Sequence, residues 1–415
     1  MTHPATAIAE WRNYWYLPAT AALGYATAVM YVYSLGPFIE PIQAEFGWSR
    51  AKISSGITIA AFFSALFCIP IGILVDRIGP RRVGLCGVLM MCGSVALLGT
   101  ATGTDTNWIT LWGILAVSTL CVQATVWTSA VNTRFEKSRG LALAITLSGA
   151  SLSAALFPVV ATGLIETNGW RQAFMYLSGS WVVIVFPLML LGFRGASDQK
   201  PTKRTSPVET ARAVAGMTLQ EGLRSPALYK LVMAGGFFSF TAIGVVVHFV
   251  PILKDAGTEP LTAAGVASLI GIFSIVGRVG TGFLLDRFPG HIIGALACFL
   301  PIIASILLLV DGSNPLYQSV AAMIFGLTLG SEVDVMAYLS ARYFGLKNFG
   351  ALYGAVVMAL SLGVAFGPLG AGAMYDNFGS YNSFLVLISV LMAITAVGLF
   401  SLGSQRAHDS TAHGH

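Results

Sequence analysis

The chain has 415 residues, 55% of them hydrophobic and only 10% charged, with a formal net charge of +5. Soluble domains carry roughly 25% charged residues, so a mostly water-facing surface is excluded and lipid must cover most of the molecule. The positive excess is then no sign of a nucleic-acid partner; it belongs to loop residues that set orientation in a bilayer.

Apolar segments long enough to cross a membrane, about 20 residues, lie at roughly 15–39, 52–75, 82–102, 108–132, 140–164 and 171–193. A second set lies at roughly 228–253, 261–285, 290–310, 315–340, 350–373 and 381–403. The first segment is too long for a signal-peptide core of roughly 7–15 residues, so no cleavable leader is expected. Arg194 to Lys230 is the one long polar interruption. Asp198 to Pro207 reads as a flexible linker and Val208 to Arg224 as a short amphipathic surface helix. With no closed β pattern, helices are the remaining way to satisfy backbone groups in lipid. The expected fold is an all-α membrane protein of twelve transmembrane helices in two pseudo-symmetric six-helix bundles. Its parts are an N-terminal bundle at 1–193, a cytoplasmic linker at 194–227 and a C-terminal bundle at 228–415.

The symmetry rests on a repeat. Gly72-Ile-Leu-Val-Asp76-Arg77 returns 210 residues later as Gly282-Phe-Leu-Leu-Asp286-Arg287. At the same offset Gly47 maps to Gly257, Gly140 to Gly350, Pro158 to Pro368, Gly169 to Gly379 and Phe174 to Phe384. Duplicated apolar halves facing one another form a path between them, which points to a transporter. Orientation follows from the 23 Lys and Arg. Only Arg50, Lys52, Arg171 and Lys254 fall on the side opposite the N-terminus, and Arg278 lies within a span. The rest share the N-terminal side, which predicts cytoplasmic N- and C-termini in a multi-pass inner-membrane protein.

Gly72-x-x-x-Asp76-Arg77-x-Gly79-Pro80-Arg81-Arg82 closes the second span. Asp76 stands where it can face the positive N-terminal end of a neighbouring helix, and the arginines anchor the loop. This constellation resembles the loop 2–3 motif of the major facilitator superfamily, and its repeat resembles the weaker loop 8–9 copy, where Phe288-Pro-Gly290 replaces the basic tail. The resemblance implies alternating access, with a conformational latch at Gly72, Asp76, Arg77, Arg81, Asp286 and Arg287. Tyr33-Ser-Leu-Gly36-Pro-Phe38, Glu45-Phe-Gly-Trp48-Ser-Arg50, the run from Arg134 to Gly149 and Asn168-Gly-Trp170-Arg171-Gln-Ala-Phe174 are similar to the bacterial monocarboxylate porter and oxalate/formate-exchanger-like branch. That branch implies a small carboxylate as substrate.

Arg278 lies about eight residues from the end of its span, roughly 12 Å deep at 1.5 Å per residue. A guanidinium there needs a wet cavity or a partner, and its fork fits a carboxylate. It reads as an anion receptor, or as half of a fixed pair with Glu332 or Asp334. Monocarboxylate porters carry an arginine on this eighth helix, which the resemblance aligns with Arg278. Proton-coupled animal members have an aspartate one turn before it, where this chain has Ser274, and a lysine near the position of Tyr33. Any proton coupling here must use other groups. Glu332 and Asp334 follow Gly326-x-x-x-Gly330 and point about 200° apart on a helix, so one faces the cavity and the other braces packing. His248 is a third candidate, for either proton or substrate. Tyr31, Tyr33, Gln123, Trp127 and Phe237 are further candidates to orient or pack on a substrate. Function is expected where the copies differ: Arg278 falls opposite Cys68, His248 opposite Phe38 and Glu332 opposite Val122.

No nucleotide loop, metal-ligand cluster or nucleophile–base arrangement is visible, so neither a cofactor, a metal nor enzymatic chemistry is expected. The five cysteines (Cys68, Cys86, Cys92, Cys121, Cys298) lie in apolar stretches and read as small packing residues. The reading is a monomeric secondary transporter of small organic anions by proton symport or anion exchange. A drug or metabolite exporter of the same superfamily is the alternative. A transporter-like membrane sensor is remoter, because only Ser404 to His415 follows the last span.

Overall fold

A computed structural model describes residues 7–135, 137–195, 217–345 and 348–403. The helices are α1 (Ala7–Tyr14), α2 (Tyr16–Phe46), α3 (Arg50–Ile78), α4 (Pro80–Leu98), α5 (Asp105–Leu120), α6 (Ala124–Asn132), α7 (Arg139–Leu147) and α8 (Gly149–Gly192). After the interruption come α9 (Leu219–Arg224), α10 (Pro226–Asp255), α11 (Pro260–Arg287), α12 (Gly290–Asp311), α13 (Pro315–Phe344), α14 (Phe349–Phe378) and α15 (Asn382–Phe400). Of the expected amphipathic helix, α9 is present with a Thr218/Glu221 capping box; residues 196–216 lie outside the described residues.

Among the described residues, ten helical stretches are long and apolar enough to cross a membrane. One, Arg139–Gly192, has 54 residues, or about 81 Å at 1.5 Å per residue, against roughly 30 Å of hydrocarbon. It turns at Gly169 (φ 77°, ψ 158°) and supplies two crossings. Counting it twice and adding the 29-residue α3 makes twelve. The repeat marks the turns: Gly47 and Gly257 (φ 66° and 92°) and Gly169 and Gly379 (φ 77° and 66°) all take left-handed backbone, where a Cβ would be strained.

Two crossings depart from the expected unbroken helices. The segment at 108–132 breaks between α5 and α6, where Gln123 is extended (φ −58°, ψ 157°). The segment at 140–164 is interrupted only mildly between α7 and α8 at Ser148, whose backbone stays helical (φ −65°, ψ −10°). A break in lipid frees backbone carbonyls that need donors. The Trp127 indole N–H donates to the Val122 carbonyl at 2.7 Å. Room for that ring comes from absent side chains: a Cβ on Gly24 would sit 2.4 Å from it and one on Gly84 2.9 Å.

The two bundles repeat their packing. Helix α2 lies on α8 as α10 lies on α14, and the bundles meet through α3 on α14 and α11 on α8, pairs that the repeat interchanges. Glycines let the backbones touch there, as small residues do in membrane helices. A Cβ on Gly271 would lie 2.1 Å from the Ala155 nitrogen, and one on Gly372 2.5 Å from that of Ala51. Within the C-terminal bundle a Cβ on Gly330 would lie 2.0 Å from the Ser274 carbonyl and 2.7 Å from the Arg278 nitrogen. Gly330→Ala must therefore push α13 from α11. The expected cost is about 1–3 kcal/mol, typical of overpacking, read as a lower melting temperature in detergent; an unchanged value would mean the helices separate freely.

Candidate functional site

A cavity of about 270 Å³ lies between the bundles. Its walls are Tyr25, Val29, Tyr31, Val32 and Tyr33 of α2, Ala150 and Ser151 of α8, Ser239 and Ile243 of α10, Ser274 and Arg278 of α11, Leu329, Glu332 and Val333 of α13, and Val357, Leu360, Ser361 and Val364 of α14. Ser274 and Arg278 are four residues apart and share a helix face. Ser274 Oγ lies 2.6 Å from Ser151 Oγ, joining the two bundles. Arg278 is held by one loose ion pair, Nη1 to Asp334 Oδ1 at 3.6 Å. Its Nε is buried with no hydrogen-bond acceptor among the described residues. Glu332 is 5% exposed and accepts a hydrogen bond from Ser239. The two acids thus point different ways, Glu332 toward α10 and Asp334 toward α11.

Of the residues singled out in the sequence, the cavity gathers Arg278, Glu332, Tyr31 and Tyr33. It also gathers Tyr25, Ser151 and Ser239, which sequence reasoning missed; the spacing of Tyr25, Val29, Val32 and Tyr33 at i, i+4, i+7 and i+8 was the available signal. Of the rest, Asp334 stands beside Arg278, and four candidates sit elsewhere. Trp127 is fully buried in the N-terminal bundle, with its ring 5.0 Å from that of Phe193. Gln123 stands at the N-cap position of α6, at the break, with no side-chain cap bond. Phe237 packs on the C-terminal core. His248 is fully buried in a second polar assembly.

That assembly closes the end of the molecule that carries Arg50. The Arg50 guanidinium grips Asp255 with both forks (2.9 and 3.1 Å), donates to the Tyr381 hydroxyl at 2.9 Å and to Gln43 at 3.3 Å, and lies 3.6 Å over the Tyr375 ring. Asp376 of α14 accepts from the backbone N–H groups of Arg50 and Ala51, both at 2.9 Å. It thereby caps the start of α3 from the opposite bundle. Lys254 pairs with Glu40, and Thr58 donates to the Ala365 carbonyl at 2.6 Å. His248 Nε2 lies 3.1 Å from Ser54 Oγ and 2.9 Å from the Pro368 carbonyl, and Nδ1 lies 2.7 Å from the Tyr381 hydroxyl.

The resemblance motifs also find one another. Glu45 accepts from the Trp170 indole and from Arg171, both at 2.6 Å. Glu10 of α1 accepts from the Lys137 and Ser138 N–H groups at 3.0 Å each and so pins the loop before α7. At the end carrying the loop motifs, Arg81 donates to the Leu190 carbonyl at 2.7 Å. Arg77, Asp286 and Arg287 are exposed, with Arg287 over Phe283 of its own helix at 4.0 Å. The surroundings of Gly72 and the side chain of Asp76 are not among those described.

Comparison with known proteins agrees with this architecture. The model of the Major Facilitator Superfamily matches residues 21–331. Monocarboxylate transporter 13 of Rattus norvegicus is 27% identical over 375 residues, covering 88% of this chain and 83% of its own. The fujikurins efflux protein of Gibberella fujikuroi is 21% identical over 370 residues, covering 88% and 77%. Among solved structures, a bacterial homologue of the human lysosomal transporter Spinster, inward-facing and unoccupied, superposes with a TM-score of 0.71 at 17% identity, covering 93% of this chain and 96% of that one. Twelve crossings in two repeated bundles, a cavity between them and a family match over most of the length make this chain a member of the Major Facilitator Superfamily of membrane transporters.

Proposed function

We propose that this transporter carries small monocarboxylates by alternating access, as a proton symporter or an anion exchanger. The observation that carries the reading is Arg278, a cation on the cavity wall with one loose partner and an unpaired buried donor. Such a group gains most from an anion that supplies two oxygens. The cavity, about 270 Å³, is small beside the roughly 300–1,000 Å³ of pockets for drug-sized ligands, which favours a short substrate. Tyr33 and Tyr25 orient it, while the apolar wall of Val29, Ile243 and Leu360 takes its hydrocarbon part. Glu332 or Asp334 serves as the proton carrier if the cycle uses one. The Lys and Arg bias supports a cytoplasmic location for the Arg81 end and for both termini, so that Arg50 seals the outer side.

Proteoliposomes with labelled carboxylates, an imposed pH gradient and internal counter-substrate test the proposal. Monocarboxylate accumulation is expected, driven by the gradient in symport or by counter-substrate in exchange. Movement of cations or neutral compounds alone would overturn it in favour of an exporter, the reading to which the fungal efflux relative lends support.

A further inference from the structure

The three proton-carrier candidates differ in what they touch. Glu332 is bonded to Ser239 and Asp334 to Arg278, all within the C-terminal bundle. His248 alone of the three contacts both bundles, through Ser54 on α3 and through Pro368 and Tyr381 of its own bundle. A group that bridges the bundles in one state loses that bridge in the other, so its protonation is linked to the change of state.

The hydrogen bonds fix the proton count on His248. A guanidinium only donates, so Tyr381 must accept from Arg50 and aim its own proton elsewhere. The near acceptor is His248 Nδ1 at 2.7 Å. That nitrogen is then bare, and the ring proton sits on Nε2, facing the Pro368 carbonyl at 2.9 Å. The neutral ring gives the Tyr381 hydroxyl an acceptor and the Pro368 carbonyl a donor. A second proton, on Nδ1, would confront the Tyr381 O–H, and that hydroxyl would have to turn away inside a site where His248 is 0% and Tyr381 4% exposed. The new charge would also face Arg50. The other charged or titratable groups here are Asp255 and Lys254 on α10, Tyr375 and Asp376 on α14, and Glu40 on α2. Asp255, Asp376 and Glu40 are already occupied by Arg50, the α3 N-terminus and Lys254. Among the described residues, none of these is left to neutralise an imidazolium.

We propose that His248 is a proton-binding site that controls the Arg50 gate: neutral, it completes the closed assembly; protonated, it opens it to water. The inference rests on the alternating-access reading. It makes the proton a signal for opening from the Arg50 side rather than cargo, because the ring must lose the proton before the gate recloses.

The test is a distance measurement that needs no substrate. Spin labels at Ala44→Cys and Asn377→Cys, on a background without the native cysteines, report separation across the gate in liposomes at about pH 5 and about pH 8, on either side of the ordinary histidine range. The parent is expected to shift toward the longer distance at acid pH. His248→Gln, which keeps a donor and an acceptor but does not titrate, is expected to lose that shift. Tyr381→Phe, which removes the conflicting hydroxyl, serves as a second variant if the first misfolds and should also lose it. A parent insensitive to pH, or a variant as sensitive as the parent, overturns the proposal. Carboxylate counterflow at one fixed pH on the same liposomes tests the substrate reading separately.

Discussion

Arg278→Ala is expected to abolish monocarboxylate uptake and counterflow while leaving the protein folded. A hydrogen bond to a charged group contributes about 1.5–3 kcal/mol, and a bidentate one lies at the upper end, so losing the fork weakens binding by roughly tenfold to a hundredfold. Removing the charge does more. Glu332 and Asp334 would then stand unopposed near the cavity and repel an incoming carboxylate. Arg278→Lys keeps the charge but loses the planar fork, and should fall between, with a raised KM and residual transport. The measurement that separates function from structure is thermal stability. Removing one partner of a tight buried pair costs about 3–5 kcal/mol, but the Arg278–Asp334 pair spans 3.6 Å and its Asp334 side chain is 34% exposed. The melting temperature should therefore move little. A large loss of stability with transport intact in the survivors would make Arg278 a brace and sink its assignment as the anion receptor.

The fold was legible because its signals are local. Span lengths follow from runs of apolar residues, and the glycines that recur at one offset are those whose backbone turns left-handed, Gly47 with Gly257 and Gly169 with Gly379. The place of Arg278 on the cavity wall was legible because a charge in lipid needs a reason wherever it points. What the sequence hid depends on helix rotation and on partners far along the chain. Trp127 looked like a cavity residue, yet its ring fills the space left by Gly24 and Gly84, a complementarity between three helices that no single segment displays. Tyr25, Ser151 and Ser239 face the cavity because of how α2, α8 and α10 are turned, and spacing restricts that turn only to a face. The gate was the largest omission. Arg50, Asp255 and Asp376 each stand at a helix end, where charge is ordinary and counts toward orientation. Their meaning comes from pairings across 205 and 326 residues.

Those pairings make the second large prediction. Arg50→Ala should shift the carrier toward the state open at the Arg50 end. The side chain is 4% exposed, and its loss would strand a carboxylate, a tyrosine hydroxyl and two ring faces that now surround it. Breaking a buried pair costs about 3–5 kcal/mol. Asp255 is 30% exposed, so solvent takes up part of that loss, and a smaller shift, at least roughly tenfold in population, is expected. The stranded groups regain water when the gate opens, so the penalty falls on the closed state and not equally on both. The same spin-label pair, Ala44→Cys with Asn377→Cys, should therefore show a longer mean distance in Arg50→Ala at any pH. Net uptake should fall, because the cycle requires closure on that side before release on the other. Arg50→Lys should restore part of the closed population through its charge, but not the two-pronged grip on Asp255 or the stacking on Tyr375. Asp376→Asn should act in the same direction through a different route, weakening the cap on α3 that the opposite bundle supplies. If all three variants keep the parent distance distribution, the contacts at this end do not govern closure, and the weight of the closed state must rest on the glycine-mediated packing of α3 on α14 and of α11 on α8.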